Sequence, residues 1–471
     1  MKIIIVGAGR VGTSVAEALV SEANDITVID IDGARVAELQ NRFDLRGLVG
    51  NAALPSTLAA GGAHDADMLI AVTAYDETNL VACKVAADLY NIPTRIARVR
   101  NTELQQHPDL MGEGGFRATQ VIFPEQTVTD YLLKLVDFPE ALQVLEFADG
   151  RASLIAVKAF AGGPLISQPI RELRRHIPNV DTRIVALFRD DASVRVDGDT
   201  MILPGDEVFF LAATRDVRAV MNELRRMERP VRTVMIAGGG NIGLRFARAL
   251  STGEGLDVAQ RCSVKIIETN KRRAESLAQQ TPPDVLVLLG DSTDEELQLQ
   301  EGVADVDLFV ALTNDDENNI MSSLLAKRLG ARRVISLINR KSYGDLMQGG
   351  QIDIAISPSY VTMSALLRFA RRGDVVVAHT LRRAAAEALE LVVHGDARSS
   401  RVIGKTIEQV ELPRGAIIGA IVRGHGDQAQ VLMAHHDVAI QPEDHLIIFV
   451  ENKRVIPRVE KMFTVGLGFF S

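Results

Sequence analysis

The feature that most limits how this chain can fold is a glycine-spaced turn from strand to helix, and it occurs twice. Met1 to Asp32 reads MKIIIVGAGRVGTSVAEALVSEANDITVIDID. An apolar run, Ile3 to Val6, precedes Gly7, Gly9 and Gly12 in the GxGxxG spacing, and Val11, Val15, Ala18 and Leu19 follow at helical period. In such a turn the first glycine allows the tight bend, the second lets a pyrophosphate approach the backbone, and the third lets helix and strand pack closely. The helix N-terminus is left aimed at the phosphates. Asp30 closes a second apolar strand, Ile26 to Ile29. A carboxylate there accepts hydrogen bonds from ribose hydroxyls and repels a 2'-phosphate, which favours the unphosphorylated dinucleotide. Alone, GxGxxG is a weak signal, because many strand-to-helix turns carry glycines for packing only. The second copy strengthens it: Thr233 to Gly243 reads TVMIAGGGNIG, with Gly238, Gly240 and Gly243 in the same spacing, and Glu268 closes the following strand, Val264 to Ile267.

Strands and helices alternate through the rest of each copy. Ala66 to Val72 is a buried strand ending at Thr73-Ala74; TAYDETN, Thr73 to Asn79, opens a helix through Tyr90; Arg95 to Val99 and Gln120 to Phe123 are further strands. This alternation implies a parallel, doubly wound sheet of Rossmann type, with ligands at the carboxyl ends of its strands. After Pro124 comes a helix with the stripe Val128, Tyr131, Leu132 and Leu135, which packs either on its own domain or on a second subunit. From Leu142 to Leu224 short alternating strands and turn-rich segments imply a small α+β module, and RRMERP, Arg225 to Pro230, is the expected linker.

The second half repeats this plan. Gly50-Asn51 recurs as Gly290-Asp291 and TAYDETN as TNDDENN, Thr313 to Asn319. Ile356 to Asp374 matches the helix after the sheet, with Met363, Leu366, Leu367 and Ala370 as its stripe. LISQPI (Leu165 to Ile170) returns as VIGKTI (Val402 to Ile407), and LPGDEV (Leu203 to Val208) as QPEDHL (Gln441 to Leu446). The expected domains are nucleotide-binding modules at 1–124 and 231–357, crossover helices at 125–140 and 358–373, and small modules at 141–225 and 374–458.

Composition then excludes whole classes. A net charge of −9 argues against nucleic acid as a partner, which requires clustered Lys and Arg. No apolar run approaches the ~18 residues of a spanning helix, so work at a membrane is expected from its surface. The chain opens directly on a core strand, so no signal peptide is expected. Cys83 and Cys262 have no metal-like spacing and suit a reducing cytoplasm. His425, His435, His436 and His445 cluster in sequence, but neighbouring His435 and His436 would face opposite sides of a strand, so no metal site is expected. Asp315 to Glu317 is read as favouring a helix N-terminus, and the basic run Arg368 to Arg372 as a solvated helix face.

A tandem duplication that begins MKIIIVGAGRVG, ends its second strand in IDID and carries paired TxxDExN segments resembles the RCK (KTN) domain family, in the form of the cytoplasmic regulatory subunit of the bacterial Trk potassium uptake system. The resemblance covers nearly the whole chain. It implies that NAD(H), and ATP or ADP, bind at both halves. In the first, Gly7, Ala8, Gly9, Arg10, Val11 and Gly12 would wrap the pyrophosphate and Asp30 would hold the adenosine ribose. Asn51 would lie near the adenine, Thr73 and Ala74 would line the far side, and Arg98 would reach a phosphate. In the second, Gly238, Gly239, Gly240, Asn241, Ile242 and Gly243, then Glu268, Asp291, Thr313 and Asn314 take the same places. Aligning RIARV with RVISL puts Ser336 opposite Arg98, so the second site would lack that cation. The resemblance further implies a homodimer presenting a ring of four nucleotide-binding modules to a TrkH- or TrkG-like potassium transporter, on the cytoplasmic face of the inner membrane.

A dehydrogenase needs a proton donor or acceptor beside the nicotinamide. At the fourth strand's end only Thr73 or Thr313 is available, and neither small module offers a His, Lys or Tyr in a motif. No catalytic residue is therefore expected; the alternative is an NAD-dependent oxidoreductase of a small metabolite.

Overall fold

The structure is a computed structural model and describes residues 1–20, 24–190, 192–225, 229–256, 261–340, 342–343, 351–370, 375–381, 386–424 and 426–463. Parts of the expected linker Arg225 to Pro230, His425, and Arg371 and Arg372 of the basic run fall outside them.

The first sheet joins β1 (Lys2–Val6), β2 (Asp25–Asp30), β3 (Arg46–Val49), β4 (Met68–Ala71), β5 (Thr94–Arg98) and β6 (Gln120–Ile122) in the order β3-β2-β1-β4-β5-β6. Every pairing in it is parallel. Ile3, Ile4, Ile5 and Val6 are buried, as are all four residues of β4, because helices cover both faces of such a sheet. The strand order reverses between β1 and β4. Loops leaving their carboxyl ends diverge there, and a crevice opens between them.

An antiparallel sheet follows, made of β7 (Ala141–Phe147), β8 (Ala152–Lys158), β9 (Thr182–Arg189), β10 (Ala192–Val194) and β11 (Glu207–Ala213), in the order β10-β9-β11-β8-β7. The second half repeats both. β12 (Thr233–Ala237), β13 (Ser263–Glu268), β14 (Val285–Leu289), β15 (Leu308–Ala311), β16 (Arg333–Leu337) and β17 (Ile354–Ile356) form a parallel sheet ordered β14-β13-β12-β15-β16-β17. β18 (Val375–Thr380), β19 (Glu387–Val392), β20 (Ala416–Arg423), β21 (Gln430–Met433) and β22 (His445–Val450) are ordered β18-β19-β22-β20-β21. Strand for strand, that is the order of the first antiparallel sheet. The fold is thus two Rossmann-like parallel sheets, each followed by a small antiparallel module.

By their contacts the residues group into two units: 1–123 with 143–226 and 363–471, and 124–142 with 227–362. The helix Pro124–Asp137 belongs to the second. Of its stripe, Val128, Leu132 and Leu135 are buried and Tyr131 is half-buried, and within the chain this helix lies against the helix Asn241–Thr252. There Arg245 donates to Gln126 Oε1 at 2.8 Å. In the equivalent helix, Pro358–Ala370, Met363, Leu366 and Leu367 are buried, and the side chains of Arg368 and Ala370 lie outside the description.

The repeated turn motifs of the small modules turn out to be clasps. Asp206, 1% exposed, takes Arg189 on both oxygens at 2.8 Å and the Leu203 N–H at 2.8 Å. Asp444, fully buried, takes Arg423 on both oxygens at 2.8 Å and the Gln441 N–H at 2.7 Å. A buried carboxylate is tolerated when a planar guanidinium meets it edge to edge and its remaining lone pairs are filled.

Two histidines join the two small modules within the first unit, and a third does so through Glu390. His379 Nε2 lies 3.0 Å from Glu146 O, and its ring stands edge-on to Phe147. His435 is not on a strand but in the turn after β21, where Nε2 lies 2.8 Å from Asp181 Oδ1, so the opposite-faces argument does not apply to it. His445 Nδ1 lies 2.6 Å from Glu390 Oε1, and Glu390 Oε2 accepts the Ala148 N–H of the first module at 2.8 Å. Glu390 raises the His445 pKa above 6.5 through that hydrogen bond and its charge, with Asp149 and Glu443 adding to it, against the opposing effect of burial. A raised folded-state value means the pair's contribution is fully present below the unfolded pKa and lost as pH rises through the folded one. The stability difference between wild type and His445→Gln, measured by urea unfolding, should therefore be largest in mildly acidic buffer and shrink as pH rises above the ordinary histidine value of 6.5. A difference that grows over that range contradicts the assignment.

Candidate functional site

Each site is built at the carboxyl ends of β1, β2, β4 and β5, or of their second-half counterparts. Gly7 holds φ +108°, and a Cβ on it would come 3.0 Å from Thr73 N. Gly12 presses on Gly7 so closely that a Cβ would lie 1.8 Å from Gly7 O. Gly9 is different: a Cβ there would meet nothing within 4 Å. In the second copy, Gly238 holds φ +103°, a Cβ on Gly243 would lie 2.2 Å from Gly238 O, and Gly240 again faces open space. Two glycines of each triad are thus required by the protein itself, while the middle one is required by no contact among the described residues. Gly240 is also the N-cap of the helix Asn241–Thr252 and offers no side chain to its first N–H groups. Arg10 and Val11 begin the first helix, with Arg10 exposed; Asn241 and Ile242 begin the second.

The strand-end acids are tied to these turns. Asp30 accepts the Ala8 N–H at 2.5 Å on one oxygen and the Asp32 N–H at 2.9 Å on the other. Glu268 accepts the Gly239 N–H at 3.0 Å and the Asn270 N–H at 2.9 Å in the same way. Each oxygen keeps a lone pair for a further donor. A ribose would add to this arrangement without displacing it. Gly239 sits where the first copy has Ala8; a Cβ there would come 2.1 Å from Leu277 Cδ1.

The paired TxxDExN segments hold the opposite wall. Asn79, fully buried, accepts the Thr73 N–H at 2.9 Å and the Thr73 hydroxyl at 2.8 Å, and its amide donates to Thr73 O at 3.2 Å and Arg98 O at 2.8 Å. Asn319 repeats all four: Thr313 N–H at 2.9 Å, Thr313 hydroxyl at 2.7 Å, Thr313 O at 3.0 Å and Leu337 O at 2.9 Å. Asp76 accepts the Arg100 and Asn101 N–H groups, and Asp316 those of Asn339 and Arg340. One side chain thus fixes the end of β4, another the loop after β5.

These bonds correct the alignment of the two halves. The carbonyl held by the latch is that of Arg98 in the first copy and of Leu337 in the second, so the partner of Arg98 is Leu337, not Ser336. Ser336, fully buried in β16, matches Ala97 instead: Ala71 pairs with Ala97 and Ala311 with Ser336. The conclusion that the second copy lacks the cation stands on the corrected residue.

In the second half the loops enclose a cavity of about 300 Å³ lined by Gly238, Gly240, Ile267, Glu268, Thr269, Gly290, Ser292, Leu312, Thr313, Asn314, Asp315 and Asn318. Of the expected residues it gathers Gly238, Gly240, Glu268, Thr313 and Asn314; Gly239, Asn241, Ile242, Gly243 and Asp291 do not line it. Asp291 is exposed, and the Thr293 N–H and hydroxyl hold its carboxyl below the usual range. Asn51, also exposed, turns its side chain onto the Ala53 N–H at 2.9 Å. Sequence reasoning missed Ser292 and Asn318, which share a hydrogen bond of 3.0 Å at the wall of the cavity, and the two latch asparagines. The latches had a signal: the same residue recurs at the same place in both copies.

Both cysteines are buried, which pushes the Cys83 thiol to about 12 and Cys262 to about 11. Among the described residues no group of His, Cys, Asp and Glu is placed to hold a metal ion, and no helix is long and apolar enough to cross a membrane.

Two Rossmann-like sheets with glycine turns, each followed by an antiparallel module, define a tandem RCK-type protein. Comparison with known proteins agrees: the TrkA-N domain model matches residues 3–124 and 234–358, and the TrkA-C domain model residues 154–225 and 397–463. The Trk system potassium uptake protein TrkA of Halomonas elongata is 51% identical over 100% of both chains, and that of Vibrio alginolyticus 48% over 98% of both. The chain belongs to the TrkA family. Among solved structures, the GsuK RCK domain superposes with a TM-score of 0.59 at 18% identity, over 98% of this chain and 94% of that one. The GsuK channel bound to NAD gives 0.59 at 18%, over 98% of this chain and 78% of that one.

Proposed function

We propose that this chain is the cytoplasmic regulatory subunit of a Trk-type potassium uptake transporter, reversibly binding NAD(H) and ATP or ADP in its two glycine-turn pockets and passing the binding energy to the transporter's gate. The observation that carries this reading is the pair of middle glycines, Gly9 and Gly240, whose missing side chains leave space that no protein atom fills. Membership of a family named for potassium uptake supplies the process. The working form is a homodimer whose four nucleotide-binding modules meet a TrkH- or TrkG-like membrane subunit from the cytoplasmic side.

Regulation fits the site better than hydride transfer. The hydroxyls nearest the expected nicotinamide position are those of Thr73 and Thr313, and each is committed to a latch asparagine and to a backbone carbonyl. A ligand moves a gate only by the difference in its affinity for the two states. Taking a gate from mostly closed to mostly open needs about 5.5 kcal/mol; over four pockets that is roughly 1.4 kcal/mol each, a tenfold preference. A change in phosphate count supplies this without covalent chemistry.

The test is potassium flux through the transporter reconstituted with this chain, with and without NADH and ATP. Nucleotide-dependent flux is expected; identical flux in all conditions contradicts the proposal. A nucleotide-linked absorbance change with a small metabolite would favour the oxidoreductase instead.

A further inference from the structure

The two nucleotide-binding modules share a fold but not a core. In the first, Ala52, Leu58, Ala82, Cys83 and Ala97 belong to one cluster of buried residues together with Ile4, Val6 and Leu69 of the sheet. The matching positions of the second follow from Gly50-Asn51 with Gly290-Asp291, from Thr73 to Asn79 with Thr313 to Asn319, and from the strand pairings that set Ala97 beside Ser336. They hold Ser292, Gln298, Ser322, Ser323 and Ser336. Ser292 is 4% exposed and the other four are 0%. Hydroxyls and an amide have thus replaced an apolar layer without opening it to solvent.

Part of this layer is satisfied by the chain itself. At its outer end Asn318 hydrogen-bonds the Asp291 carboxylate, and the Ser292 hydroxyl meets Asn318 Oδ1 at 3.0 Å on the wall of the cavity. Deeper in, Gln298 Nε2 donates to the carbonyls of Ser292 at 2.6 Å and Ser322 at 3.3 Å, and the Ser322 hydroxyl donates to Asn319 O at 3.3 Å. Those bonds fix which way the amide faces, since the reverse would set its oxygen against two carbonyls. Gln298 Oε1 and the hydroxyls of Ser323 and Ser336 are then left without a hydrogen-bond partner among the described residues. Buried polar atoms in native proteins are bonded to protein or to ordered water. A group that suits these three must donate to the amide oxygen, both donate to and accept from the hydroxyls, and carry no charge, because none of the five side chains is ionisable to balance one. Water meets every condition, and a buried water makes about three such bonds.

We propose that the second module contains a built site for ordered water beneath the helix Asp316–Arg328, bonded to Gln298 Oε1 and to the hydroxyls of Ser323 and Ser336. Ser292 ties it to the cavity, with its hydroxyl on the cavity wall and its carbonyl on Gln298. The first module, apolar at the same positions, is dry there. The helix that carries Asn318 and the latch Asn319 therefore rests on hydrogen bonds that water can rearrange, where its counterpart Asp76–Tyr90 rests on close-packed carbon.

Two measurements on the full chain test this. A crystal structure fine enough to place water should show it within hydrogen-bond reach of Gln298 Oε1 and both hydroxyls, and none beside Leu58, Cys83 and Ala97. Hydrogen exchange along the helix Asp316–Arg328 is then compared in Ser336→Ala and in the combined Gln298→Leu, Ser323→Cys and Ser336→Ala, which installs the first-half residues. The single change leaves the water short of a partner and should speed exchange several-fold. The combined change removes the need for water and should return exchange to within about twofold of the wild type, or slow it. Faster exchange in the combined variant than in the single one overturns the proposal, as does a crystal structure in which protein groups satisfy all three atoms with no water between them. So does wild-type exchange that differs between potassium chloride and choline chloride at equal ionic strength, which would put a monovalent ion in the layer. Should the combined variant not fold, the wild-type crystal structure decides alone.

Discussion

Substituting Gly9 by Asp is expected to abolish nucleotide binding in the first pocket while leaving the unliganded protein as stable as before. The middle glycine has nothing within 4 Å of its would-be Cβ, and its φ lies outside the left-handed region, so the backbone accepts a side chain without rearrangement. Surface substitutions of this kind change stability by about 0.5 kcal/mol or less. A carboxylate there would occupy the approach to the helix N-terminus and repel the pyrophosphate. At a hundredfold excess over Kd a bound ligand stabilises by about 2.7 kcal/mol, and this increment should vanish at the altered site. Gly12→Ala is the contrasting case: its Cβ would lie 1.8 Å from Gly7 O, so it should cost about 1–3 kcal/mol of intrinsic stability. Thermal and urea unfolding with and without NAD separates the two. If Gly9→Asp lost as much intrinsic stability as Gly12→Ala, the space beside Gly9 would be a packing position and not a ligand position.

The second large effect is expected at the latch. Asn79→Ala removes four hydrogen bonds at once and leaves the half-buried Thr73 N–H and Arg98 carbonyl without their latch partner. Unsatisfied buried groups cost about 1–3 kcal/mol each in unfolding experiments, partly relieved by relaxation, so a loss of about 2–4 kcal/mol is expected. Asn319→Ala should behave alike, because its four bonds are the same. Since the latch fixes the wall opposite the glycine turn, nucleotide affinity should fall about tenfold or more even where the variant stays folded. Unfolding in urea and titration with NAD give the two numbers; a change below about 0.5 kcal/mol would mean that the latch is ornamental.

Most of the architecture could be read from the sequence because duplication made weak signals repeat. One glycine triad is ambiguous; two, each with an acid closing the next strand, left little freedom, and the duplication of the small α+β module followed from the recurrence of LISQPI as VIGKTI and LPGDEV as QPEDHL. What escaped were partnerships across sequence. The stripe Val128, Leu132 and Leu135 announces a buried face, but periodicity carries no information about what its helix lies against, which within the chain is the helix Asn241–Thr252. Asp206 and Asp444 looked like turn residues because their guanidinium partners stand on other strands. Matching Arg98 to Ser336 failed because RIARV and RVISL align equally well with the offset one residue away, and only the latch bond to Leu337 decides between them. The latch asparagines were visible as a repeat, but no composition or period reveals that a helix residue reaches back to a strand end.

The most direct test of the whole account is potassium flux through the reconstituted transporter with this chain carrying both Gly9→Asp and Gly240→Asp, titrated with NADH and with ATP beside the wild type. A Cβ at either position meets no atom of the described residues within 4 Å, so assembly with the membrane subunit should survive, and it is verified by co-purification. The account predicts flux that responds to nucleotide in the wild type and is indifferent to it in the double variant. A double variant that still assembles and still answers to nucleotide as the wild type does would contradict it.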